Sequence, residues 1–113
     1  MIREDFLLRA IQRLAEIIGR VLGLAKEGRM DEATAALEAE TRAQLGMPSE
    51  MLDRLPPNEV ARVLGAEKSM ILAALLDAEA ELARMQKNPA RARERNERAD
   101  AIRVSAGLPA LRP

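Results

Sequence analysis

Near the N-terminus the apolar positions Leu7, Ile11, Leu14, Ile18, Val21 and Ala25 recur at alternating spacings of four and three, which traces one continuous helical face. Phe6, Ala10, Ile17 and Leu24 extend that face on one side and Leu8, Ala15 and Leu22 on the other, giving an apolar arc of roughly 200°. A single neighbouring helix cannot cover so wide an arc. The opposite side carries Arg9, Gln12, Arg13, Glu16 and Arg20, with Asp5/Arg9 and Glu16/Arg20 spaced for surface ion pairs. Gly19 and Gly23 each lower helix propensity by about 1 kcal/mol and admit two readings: close approach of another backbone, or tolerance at a solvated edge.

Glycine and proline divide the rest of the chain. Gly28, Gly46, Gly65 and Gly107 follow helix-like runs and stand where a left-handed residue ends a helix, while Pro48, Pro56-Pro57 and Pro89 mark entries and breaks. The pattern predicts helices over Arg3 to Glu27, Asp31 to Leu45, Ser49 to Leu55, Asn58 to Leu64, Ala66 to Lys87 and Pro89 to Ala106. Asp31, Ser49 and Asn88 are the expected N-caps. In the long fifth segment Ile71, Leu75, Ala78, Leu82 and Met85 form the main inward stripe, with Leu72, Leu76 and Ala83 beside it. Glu79 projects between these stripes and should pair with an arginine of another helix, because a buried lone carboxylate is costly. Asp77, Glu81 and Arg84 are expected on the wet face. The last segment has a thin inward stripe of Ala92, Ala99, Ile102 and Ala106, and the short pieces between Met47 and Leu64 either plug one end of the bundle or cap the wide face of the first helix.

Two stretches resemble the helix-turn-helix unit of tetratricopeptide repeats. In the first, Ile17 to Leu45, Gly28 stands at the turn and Ala33 at the small position where the helices touch; in the second, Leu76 to Val104, Asn88-Pro89-Ala90-Arg91-Ala92 and Ala99 take those places. The bulky aromatic positions of that unit are here Ile17, Leu24, Leu76 and Ala83, and a short-helix insert separates the two stretches. The opening Ile2-Arg-Glu-Asp-Phe-Leu-Leu-Arg-Ala-Ile11, with the later Gly28-Arg-Met-Asp-Glu-Ala33 turn, also resembles a family of small bacterial helical proteins of unknown function. These resemblances imply a fold type and no activity. The expected architecture is all-α, one domain over residues 1–113, a five- or six-helix array of tetratricopeptide-like hairpins with a short-helix insert.

Composition narrows the chemistry. The 113 residues balance 18 Lys and Arg against 18 Asp and Glu, and lack His, Cys, Trp and Tyr. Histidine acid-base catalysis, thiol chemistry and most zinc sites are thereby removed. No serine stands in a nucleophile-elbow pattern and no phosphate or calcium loop occurs, so neither catalytic residues, nor a cofactor, nor a metal is expected. Without cysteine, a secretory signal or an apolar span, the chain reads as cytoplasmic.

Charge is unevenly placed. From Pro89 onward six arginines meet three acids, whereas residues 29–64 carry four basic and seven acidic groups. Arg91, Arg95 and Arg98, with Arg93 and Arg103, offer a possible basic surface for nucleic acid. The i,i+4 pairs Arg93/Glu97 and Glu94/Arg98 and the missing aromatics favour a salt-bridged helix face instead. The sequence therefore points first to a non-catalytic scaffold or adaptor, a homodimer or partner binder using Phe6, Ala10, Leu14, Ile17, Val21 and Leu24. The alternative is a nucleic-acid-associated or regulatory protein acting through the arginine helix.

Overall fold

The computed structural model describes residues 2–112, with side chains from Leu8 onward. These residues form five helices and no strand: α1 Ile2–Lys26, α2 Met30–Leu45, α3 Ser49–Asp53, α4 Pro57–Met85 and α5 Pro89–Ser105. The all-α architecture follows directly from the period-3.6 patterns and the punctuation between them.

The four glycines expected to end helices all take positive φ. At Gly28, whose φ is 81°, the amides of Gly28 and Arg29 donate to the carbonyls of Ala25 and Leu24, a closed C-terminal turn that reverses the chain at once. Helix α2 therefore restarts at Met30. Its N-cap is Arg29, and Asp31 lies in the first turn with no capping bond, which corrects the expected cap. Ser49 likewise begins α3 behind Pro48 instead of capping it. Asn88 does cap α5, accepting from the Arg91 amide, with Pro89 in the first turn. Gly65, with φ 81° and ψ 172°, interrupts α4 where the pattern places the boundary between two helices.

Antiparallel hairpins dominate the packing. Helices α4 and α5 make the most extensive contact, because Ala80, Ala83, Ala92 and Ala99 are all buried and let the two backbones approach. Helix α1 packs on α2 and α4, and α2 also packs on α4. The shared core includes Leu14, Val21, Leu37, Leu45, Leu52, Val60, Leu75 and Ile102. A Cβ added at Gly19 or Gly23 would meet nothing within 4 Å, so these two glycines sit at an open edge and no backbone approaches them.

Candidate interaction surface

The arginine-rich helix is turned inward. Arg95 and Arg103 are buried, and the Arg98 side chain is only 13% exposed. Arg95 forms a fork with Glu94 at 2.6 and 2.7 Å, reaches Asp53 of α3 at 3.0 Å, and lies 3.7 Å from Glu79 of α4. Arg91 approaches Glu79 at the same distance. Arg98 donates to the carbonyls of Leu52 and Leu55 at 2.6 and 2.8 Å, adding a second partner to the Leu52 oxygen, which already accepts the Leu55 amide at 3.1 Å, and binding the chain just past the end of α3. Helix α3 has too few residues to hold itself, and these guanidinium groups fasten it to the α4–α5 hairpin. Burial raises the Glu79 carboxyl above its ordinary range, although Arg95 and Arg91 pull the other way. Burial disfavours the Arg95 charge, yet hydrogen bonds to Glu94 and Asp53 prevail and raise its pKa.

A second ionic cluster lies where α5 and the C-terminal segment meet α4. Arg103 bridges Asp77 at 2.5 Å and Asp100 at 2.8 Å. Arg112 binds the same two carboxylates from the other side. Asn96 donates to Asp77 at 2.7 Å and accepts from Arg84. Burial alone would raise Asp100, but hydrogen bonds from Arg112, the Leu111 amide and Arg103 outweigh it and hold its pKa at about 2. Asp77 thus belongs to a partly buried network and not to the wet face. An open cleft of about 630 Å³ beside this cluster is lined by Arg84, Arg93, Arg112, Glu97 and Asp100. Its charges are of both signs, and Arg84, Arg112 and Asp100 are already bonded within the chain.

The possible basic surface of Arg91, Arg95 and Arg98 is thus largely taken up by ion pairs within the chain. Of the three, only Arg91 is exposed. The anticipated Glu94/Arg98 pair is replaced by Glu94 with Arg95 and Arg98 with Asp53. The arginine expected beside Glu79 comes from α5, while the pairing of Asp53 with Arg95 and of Asp77 with Arg103 spans distant parts of the chain and leaves no local signal.

Apolar surface lies elsewhere, on α1, and on the flank opposite the one expected. Leu14 and Val21 are buried in the chain's own core and Leu24 packs against that core; Ala10 and Ile17 are half-buried. Those five are therefore not freely available, and Phe6 lies outside the described side chains. On the other flank Leu8 and Ile11 are 56% and 42% exposed. Ile11 and Leu14 form one wall of an apolar slot of about 290 Å³, floored by Met70, Ile71 and Ala74 of α4 and closed by Leu108, Pro109 and Leu111. Arg103 at its margin is neutralised by Asp77 and Asp100. A neutral apolar concavity beside exposed aliphatic side chains suits an aliphatic side chain from a partner.

Among the described residues, no group of three or more carboxylates is arranged to hold a metal ion, and no helix is long and apolar enough to cross a membrane. Compared with protein-family models, with curated proteins and with solved structures, the chain matches none.

Proposed function

We propose that this chain is a non-catalytic helical interaction protein, with two tetratricopeptide-like hairpins as its scaffold, that self-associates through the open flank of α1. The apolar slot carries this reading, together with the exposed Leu8, Ile11 and Leu111 around it. A two-fold pairing needs a protrusion and a recess on the same face of each copy, and Leu8 stands one helical turn from the Ile11 wall of the slot. The buried Ala33, Ala92 and Ala99 support the hairpin resemblance, since they occupy the small positions where paired helices touch. Internal pairing of the α5 arginines leaves few free cations for phosphate, which speaks against the nucleic-acid alternative.

Light scattering over a micromolar concentration series tests the proposal. The mass should rise from 12.4 kDa towards twice that value, and Ile11→Asp should hold the chain at 12.4 kDa with its helix content unchanged. A wild-type chain that stays monomeric throughout contradicts self-association. Steeply salt-dependent binding of a labelled oligonucleotide would favour the alternative instead.

A further inference from the structure

We infer that residues 107–112 form a detachable strap that gates the apolar slot, with Arg112 as its latch. The inference rests on the slot being the interaction site, and it concerns what controls entry to it.

After α5 the left-handed Gly107 turns the chain, and the Leu108 amide closes that turn on the Arg103 carbonyl at 2.8 Å. The segment then runs along the slot, where Leu108, Pro109 and Leu111 supply one wall. Beyond the half-buried Leu108, its remaining attachments converge on one place and are mainly ionic, with one long hydrogen bond from Arg112 to the Asn96 carbonyl at 3.4 Å. The Leu111 amide donates to Asp100 at 3.1 Å, and Arg112 binds Asp100 at 2.7 Å and also Asp77. Little apolar burial supports them, for Leu111 is 67% exposed.

Release of the latch strands no buried charge. Without Arg112, Asp77 keeps Arg103 and Asn96, and Asp100 keeps Arg103. Arg112 itself is 37% exposed and returns to water, in contrast to Arg103 at 8%. Arg95 differs, because removing it would leave the largely buried Glu79 with the exposed Arg91 alone. A segment held by few hydrogen bonds and an ionic latch, with little buried apolar area, belongs to the readily opened parts of a fold. Its departure would enlarge the slot along α4 and expose Ile71 and Ala74 to the α1 flank of a second copy.

The test uses the full chain and the variants Arg112→Ala and Arg112→Lys, read by NMR amide exchange and by anilinonaphthalene sulfonate fluorescence. In Arg112→Ala the Leu108 and Leu111 amides should exchange faster by about tenfold or more, while amides within α4 and α5 keep their rates. Dye emission should rise several-fold, although the variant has lost a positive charge that would attract the anionic dye. Arg112→Lys should fall between, since an ammonium replaces the charge but not the fork. Unchanged strap exchange overturns the latch, as does faster exchange spread through α4 and α5. Faster strap exchange with no added dye binding overturns the gate. If dye enters while the variant remains monomeric at every concentration, the strap stands and self-association fails.

Discussion

The two helical hairpins are held together by different means. Between α4 and α5, alanines bring the backbones close and buried arginines bind carboxylates on α3, α4 and α5, so each polar contact also fixes register. Between α1 and α2 the buried contacts are aliphatic, through Leu14, Val21, Ala25, Ala33 and Leu37, and Arg9, Arg13, Glu16 and Arg20 make no ion pair among the described residues. The expected Glu16/Arg20 pair is not formed, and Asp5/Arg9 involves a side chain outside the described set. The first hairpin leaves an apolar flank open, whereas the second consumes its own charges. Charge density in this chain therefore marks architecture, and the proposed interface falls on its open aliphatic surface instead.

This contrast can be broken first in the second hairpin. Ile102, fully buried, should lose about 3 kcal/mol of stability on Ile102→Ala, whereas Ile11→Ala should change it by less than about 0.5 kcal/mol in urea unfolding. Arg95→Ala should cost nearly as much, about 3 kcal/mol, because the largely buried Glu79 loses its buried partner and keeps only the exposed Arg91. If Arg95→Ala leaves the unfolding midpoint unchanged, the arginines are not a clamp.

A smaller effect appears in acid. Asp100 titrates at about 2 in the folded chain against an ordinary 3.8, so its contribution is present above 3.8 and is lost as pH falls through 2. Glu79 acts with the opposite sign: its raised pKa favours folding at acid pH and loses that benefit as pH rises through the folded value. Urea midpoints followed from pH 5 to 2 should fall less steeply in Asp100→Asn than in the wild type, about as far as the Asp100 shift accounts for.

The fold was largely legible because its signals are local. Helix periodicity and C-terminal glycines depend on neighbours a few residues away, and all four of those glycines are left-handed. Asp31 and Ser49 lie inside their helices, since Arg29 and Pro48 take the cap positions and the Ser49 amide and hydroxyl donate to Glu38 of α2. The surface was less legible: Asp77 sits beside Glu81 and Arg84 on a helical wheel, and only the return of Arg103 and Arg112 from far along the chain draws it inward. A wheel for α1 also could not decide which of its two apolar flanks α2 and α4 would leave open.

Glycine positions give the finest comparison. Gly19→Ala and Gly23→Ala should each stabilise the chain by about 0.5–1 kcal/mol, since neither has a positive φ and nothing would meet the added methyl group. At the end of α4, Lys87 occupies a left-handed position with φ 59°, and the Asn88 amide closes the turn on Ala83. Lys87→Gly should therefore stabilise the second hairpin by about 1 kcal/mol, measured by thermal unfolding.

Amide exchange of the wild-type chain at two concentrations, dilute and a hundredfold higher, tests the division between scaffold and interface most directly. Protection should increase with concentration along the exposed flank of α1, while the amides of α5 exchange at the same rates in both samples. Concentration-dependent protection confined to α5, or none anywhere, would contradict the assignment of α1 as the associating face.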